Sequence, residues 1–181
     1  MGLNYMKSVR NFEFPNLPVF FGENLIAWNP CMTVANVTEI FKLIKPPIVD
    51  PKMLYSILMY DPDAPGPGEV NQTIYLHYLA VNGKMGMEPT VVNDYFPPAP
   101  PIGVHHYVIL MGHQKREMDT TTLSNRFFYD FKSYVSQQKK IICSNVFRVA
   151  APNELCPLVD GSSNIHIQWL LIALLIVALW I

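Results

Sequence analysis

Charge is scarce in this chain. Asp, Glu, Lys and Arg make up 15% of its 181 residues, and 13 basic against 14 acidic side chains leave a formal charge of -1. Sequence-independent binding to nucleic acid needs a Lys/Arg excess, so no nucleic-acid partner is expected. No global field steers the protein toward phosphate polymers, and any anion it takes must be held locally. Cysteine is scarcer still. Cys31, Cys143 and Cys156 form an odd set without CxxC spacing, which argues against a disulfide framework and a structural zinc site and predicts reduced thiols. The stretch from Met1 to Gly22 lacks the apolar core of a secretory signal, being broken by Lys7, Arg10, Glu13 and two prolines. Myristoylation at Gly2 is disfavoured because Met6 stands where Ser or Thr is wanted. Internal repeats are lacking too.

Apolar residues are plentiful, at 50% of the chain with 12% aromatic. That excludes disorder and fits one globular domain. The longest apolar run lies at the end: Trp169 to Ile181, WLLIALLIVALWI, is thirteen residues without a charge, and extension back to Ile165 adds only His166 and Gln168 as polar positions. A helix over 165–181 would rise roughly 26 Å against a hydrocarbon core of about 30 Å. Trp169 and Trp180 suit the two interfaces, and the run has no polar face for lying on a membrane surface. The sequence predicts a C-terminal transmembrane anchor, single-pass, with the domain facing the cytosol. Two alternatives stay open: a buried core helix, or a glycolipid-anchor signal with Gly161, Ser162 and Ser163 as the small-residue site and the domain at the cell surface. The sequons Asn36-Val-Thr38 and Asn71-Gln-Thr73 matter only in a secreted chain.

Strand signals fill the middle. CMTVANVTEIFKLI, from Cys31, suggests one or two strands. MLYSILMY, from Met53 to Tyr60, reads as a strand buried on both faces and stops at DPDAPGPG. TIYLHYLAV (Thr73 to Val81) and VHHYVILMG (Val104 to Gly112) are β-branched and aromatic strand candidates. The four prolines of NDYFPPAPPIG forbid ladder donation and predict an ordered, extended loop that rims a pocket. Phe127, Phe128, Phe131, Tyr134 and Val135 fall on one face of an amphipathic helix and read as core. Ile141 to Ala150 reads as a last strand. The expected division is an N-terminal segment 1–18, a domain 19–150, a linker 151–164 and the anchor 165–181.

Period-two alternation puts Tyr75, His77 and Leu79 on one face of the first histidine strand, and His105, Tyr107 and Ile109 on one face of the second. If these faces converge near Asp61 and Asp63, they form a small basin. Imidazole N–H groups and a phenol can donate to phosphate oxygens, and a carboxylate can orient a ring and raise its pKa. Such a basin suits a small anion.

YDPDAPGPG, then YLHYLAVNG, then DYFPPAPPIGVHHYVILMGHQ resemble the phosphatidylethanolamine-binding proteins, also known as Raf kinase inhibitor proteins, whose signatures are a DPDxP segment and a GxHR segment. FFYDFKSYVSQQKKIICSNVFRV is similar to that family's helix and final strand, so the likeness runs roughly from Val19 to Val149. The resemblance implies a mostly β fold, an antiparallel β-sandwich with peripheral helices and a small anion pocket at one end. It implies ligand-binding positions at Asp61 on the pocket edge, Asp63 supporting the loop, Pro65 closing the motif, Tyr75 at the mouth and His77 on the floor. Ala99, Pro100 and Pro101 would form the rim, with His105 and Tyr107 from the second signature. The sequence departs from the family at His106, which replaces Arg and weakens its ion pair with the DPDxP loop. The approach Gly103-Val104-His105 is shorter, and Ala99 replaces a Gly.

The expected function is a membrane-anchored binding protein, not an enzyme, that takes phospholipid headgroups or phosphorylated ligands and modulates kinase signalling as relatives do. No catalytic residue, metal or cofactor is expected. Competing readings are a protease inhibitor or scaffold with a vestigial pocket, and a metal-dependent hydrolase built on His77, His105, His113 and Asp61, although HExxH spacing is absent.

Overall fold

Two stacked sheets account for the apolar runs. The computed structural model describes residues 15–26, 29–39, 41–43, 50–65, 73–122, 125–127 and 130–157. The segment 1–14, the end of the DPDxP loop with Asn71, Phe128, Gly161 to Ser163 and the run 165–181 lie outside the described residues. Among the described residues, no helix is long and apolar enough to cross a membrane.

The smaller sheet holds β1 (Val19–Phe21), β2 (Asn24–Ile26) and β4 (Phe41–Leu43) in the order β2-β1-β4, all antiparallel. The larger sheet holds β3 (Cys31–Thr33), β5 (Tyr55–Ala64), β6 (Thr73–Gly83), β7 (Thr90–Asn93), β8 (Val104–Gln114) and β9 (Gln138–Ala150) in the order β3-β9-β8-β5-β6-β7. Its pairings are antiparallel except that of β3 with β9, which is parallel. CMTVANVTEIFKLI thus supplies two strands, one to each sheet, separated by a 3-10 turn at Val34–Val37.

The larger sheet is buried on both faces, which explains why its strands read as nearly continuous apolar runs. One face packs Tyr55, Ile57, Met59, Ile109 and Phe147 against Leu17, Val19 and Phe21 of the smaller sheet and its approach. The other packs Leu58, Tyr60, Val108 and Leu110 against Met118 and the helix α1 (Phe131–Gln137). Asp130 caps α1 by accepting from the Ser133 N–H at 3.0 Å. The helix therefore begins after Phe127, and the expected five-residue stripe is corrected: Phe131 and Tyr134 are buried, whereas Phe127 is exposed.

The expectation of reduced thiols is also corrected. Cys31 and Cys156 form a disulfide across 125 residues, while Cys143 is free and buried. The chain after β9 turns back along the edge strand β3, which brings a distant pair together and leaves the odd thiol in the core. Burial pushes the Cys143 thiol up to about 12.

Candidate functional site

Three central strands of the larger sheet supply the polar side chains of one cavity. Asp61 comes from β5, Tyr75 and His77 from β6, and His105 and Tyr107 from β8. The cavity has a volume of about 300 Å³, and Pro65, Ala99, Pro100 and Pro101 help to close it. NDYFPPAPPIG is the extended rim that its prolines predict. Gly103, with φ 72, turns the chain from that rim into β8, a backbone region open to glycine at little cost.

A bulge decides what His77 does. The β5–β6 register shifts between Met59, which pairs with Tyr78, and Tyr60, which pairs with Leu76, leaving His77 as the extra residue. The shift corrects the alternation expected from the sequence: Leu79 packs with Leu76 in the core on the opposite face, and His77 stands with Tyr75 and Tyr107. Its ring lies edge-on to both, with centroids 4.9 Å from Tyr75 and 5.0 Å from Tyr107. The His77 Nδ1–H donates to the Phe96 carbonyl at 2.7 Å, because a carbonyl can only accept. Burial holds the His77 pKa down, at about 4, against the opposing pull of that carbonyl and of Asp61. His77 is therefore neutral at physiological pH, with Nε2 as an acceptor.

His105 is the opposite case. Its Nδ1–H donates to Asp61 Oδ2 at 2.6 Å. Burial works to lower its pKa, but the hydrogen bond and charge of Asp61 outweigh it and the value is raised. Its Nε2 is fully buried, and the Ile102 carbonyl adds to the upward pull on the ring. Burial, then the charge and hydrogen bond of Asp61, hold the Tyr107 hydroxyl protonated. Asp61 Oδ1 accepts from the Asp63 N–H at 2.7 Å, fixing the turn of the DPDxP segment.

Asp63 does not line the cavity. Its Oδ2 accepts from the backbone N–H of His106 at 2.9 Å and from its ring Nδ1–H at 2.7 Å. Burial raises the Asp63 pKa, but these bonds and the charge of His106 outweigh it and leave the carboxyl below its usual range. His106 thus retains a tie to the DPDxP segment that the sequence expected to be weakened, since a neutral imidazole still donates. All the other predicted binding residues line the cavity. His113 does not: it lies at the far end of β8, where Nε2 accepts from the Asp50 N–H at 3.3 Å. Among the described residues, no group of three or more His, Cys, Asp or Glu side chains is placed to hold a metal ion, so the four-residue hydrolase site is corrected.

Sequence reasoning missed the aromatic walls. Phe96 and Phe127 line the cavity with Ala64 and Thr73, and Phe127 stands edge-on to Tyr75 at 5.0 Å. Arg126 puts Phe127 there. Its Nη1 donates to the carbonyls of Leu76 and His77, both at 3.1 Å, and its Nη2 to that of Asp94 at 2.6 Å. The Leu76 N–H donates back to the Arg126 carbonyl at 2.9 Å. The cation is occupied by backbone, and among the described residues no Lys or Arg lines the cavity. One signal was readable: Asp130 as an N-cap excludes Phe127 from the helix.

Comparison with known proteins agrees with this fold. The family model for phosphatidylethanolamine-binding protein matches residues 22–147. "Protein MOTHER of FT and TFL1 homolog 2" from Oryza sativa subsp. japonica is 35% identical over 65 residues, covering 34% of this chain and 37% of that protein. The matched stretches span between 35% and 52% of the curated relatives' lengths. Among solved structures, a carboxypeptidase Y inhibitor in complex with its cognate proteinase superposes with a TM-score of 0.63 at 16% identity, over 83% of this chain and 93% of that one. The phosphatidylethanolamine-binding protein of Plasmodium vivax gives 0.54 at 15% identity, over 83% and 96%. At such identities the likeness is one of fold.

Proposed function

Because the chain belongs to the phosphatidylethanolamine-binding protein family, whose model covers residues 22–147, we propose that it is a binding protein rather than an enzyme, and that its cavity takes the phosphate of a phosphorylated small molecule or phospholipid headgroup. One observation carries this reading: Asp61, Tyr75, His77, His105 and Tyr107 from three neighbouring strands line one cavity walled by aromatic side chains, with His105 tied to Asp61 through Nδ1. Calorimetry with inorganic phosphate tests it. His77→Ala and His105→Ala should each lose binding; two variants that bind like the parent would remove the cavity from the proposal. Modulation of a protein kinase belongs to the same reading, and a pocket-null variant that keeps a kinase partner would move that role to the surface.

The run 165–181 holds the domain at a membrane in this proposal. Cys31, which bonds Cys156, pairs with Arg148, near the end of the sheet where Ala150 pairs with Val104 and His105 begins the cavity wall. The chain therefore sets out toward its apolar run from the cavity's end of the sandwich. From residue 157 to residue 165 it reaches at most roughly 30 Å. Phe96, Ile102 and Phe127 are exposed around the cavity mouth and its rim, so headgroups at that surface would meet the cavity at raised effective concentration. The Cys31–Cys156 disulfide favours an oxidising compartment, and with it the outward-facing arrangement over the cytosolic one. Carbonate extraction of the full chain beside a chain truncated at Trp169 tests the anchor: only the full chain should stay with the membrane.

A further inference from the structure

The turn that follows β3 brings two marks of one compartment together. Cys31 is bonded to Cys156, and Asn36, shortly after it in the chain, opens the sequon Asn36-Val37-Thr38. A tripeptide of this kind is frequent by chance, so the folded turn has to show that the site can carry a sugar. Asn36 and Thr38 are exposed, while Val37 between them is fully buried. The 3-10 turn Val34–Val37 is thus pinned by its apolar residue and presents the two polar ones outward. The Tyr95 hydroxyl completes the pinning by donating to the Val37 carbonyl at 2.6 Å. Asn36 Oδ1 accepts from the Thr33 N–H at 3.0 Å and from the Thr33 hydroxyl at 2.8 Å. A backbone N–H can only donate, which fixes the amide oxygen toward the turn and the amide nitrogen away from it. Among the described residues, that nitrogen makes no hydrogen bond. The Thr38 hydroxyl donates to the Ala35 carbonyl at 3.0 Å, on the same exposed turn.

We propose that Asn36 carries an N-linked glycan on Nδ2. This rests on the outward-facing arrangement above and goes beyond it by naming the atom modified. The co-substrate is an oligosaccharide linked to a lipid through a diphosphate. Nδ2 attacks the anomeric carbon of the first sugar, a C–N bond forms as the C–O bond to the diphosphate breaks, the lipid diphosphate leaves with the electron pair, and the nitrogen gives up a proton. The substituted amide keeps its carbonyl oxygen, so both bonds from Thr33 survive and the turn loses no contact. A bulky, hydrated chain suits an exposed turn. Disulfides form in the compartment where sequons are read, so both marks belong on the same molecule.

Peptide mapping of the full chain taken from its own cells tests this. Trypsin cuts after Arg10 and Lys42, and the peptide 11–42 holds Cys31 as its one cysteine and Asn36 as its one sequon asparagine. Free thiols are alkylated first; disulfides are then reduced and alkylated with an isotopically heavy reagent. Peptide-N-glycosidase in heavy-oxygen water converts a glycosylated Asn into an Asp that carries the heavy oxygen. The expected peptide bears the heavy alkyl group at Cys31 and a heavy Asp in place of Asn36. Thr38→Ser keeps the sequon and should keep the mark, whereas Thr38→Val should lose it while Cys31 stays protected, which shows that the variant has folded. A marked Asn36 beside a free Cys31 would keep the glycan and remove the disulfide. A protected Cys31 beside an unmarked Asn36 would overturn the glycan and leave the outward-facing arrangement standing, and a free Cys31 beside an unmarked Asn36 would overturn both. A mark that persists in Thr38→Val would also overturn the proposal, since it would not depend on the sequon.

Discussion

Acidification should destabilise the fold through His77 before it protonates the carboxyl groups. The ring is 4% exposed, and its pKa is about 4 against an ordinary 6.5, chiefly because burial penalises the imidazolium. A base whose folded value is lowered contributes stability that is complete above the unfolded value and is lost as pH falls toward the folded one. The window is therefore pH 6.5 down to about 4. At 1.36 kcal/mol per unit the loss amounts to about 3 kcal/mol, a large part of a typical domain's stability of roughly 5–15 kcal/mol. Two neighbouring groups fall outside the window. The raised value of His105 gives a contribution complete below 6.5 and lost as pH climbs through its folded value. The lowered value of Asp63 gives one present above 3.8 and lost as pH falls through its folded value. Urea unfolding of the parent and of His77→Asn at pH 7.5, 6.5, 5.5 and 4.5 isolates the effect, since His113 and every other group is common to both. The parent's advantage should shrink by about 2–3 kcal/mol between pH 6.5 and 4.5. A gap that stays constant with pH would mean that His77 is not held neutral.

Three further outcomes follow from the geometry. Closing a loop across a separation of 125 residues is worth up to about 4–5 kcal/mol in the chain-entropy account, so dithiothreitol should lower the parent's melting temperature to that of Cys156→Ser and leave the variant unmoved; an unresponsive parent would remove the disulfide. Asn36 is exposed in its 3-10 turn with its Oδ1 accepting from Thr33, so if the domain matures on the oxidising side, endoglycosidase should increase the mobility of the protein and Asn36→Gln should abolish part of that shift. Phe127→Ala removes an aromatic wall worth about 1 kcal/mol, and its loss of phenyl phosphate affinity should exceed its loss of inorganic phosphate affinity about fivefold, measured by calorimetry.

What could be read from the sequence was set by local chemistry. MLYSILMY announces a strand buried on both sides because neither face carries a polar alternation, and β5 has cores on both faces. The prolines of NDYFPPAPPIG dictate an extended rim wherever they fall. The DPDxP and GVHHY segments locate Asp61, His105 and Tyr107 because their spacing is short and their strands are neighbours. Long-range events were hidden. The bulge that turns His77 toward the cavity exists only against β5, so alternation along β6 misplaces Leu79. Cys31 finds Cys156 because β3 lies parallel to β9 at the sheet edge, which spacing cannot reveal. Phe127 fits a helical period by accident of its neighbours, and the cap at Asp130 is the only nearby residue that says otherwise.

Arg126 donates to three main-chain carbonyls, from Leu76, His77 and Asp94, and so acts as a rivet that joins the cavity mouth to the strand carrying His77. Mouth and floor are thereby coupled. A substitution at the rivet would move the Phe127 wall and alter the surroundings of the His77 ring together, so the shapes the cavity admits and the chemistry at its floor change as one.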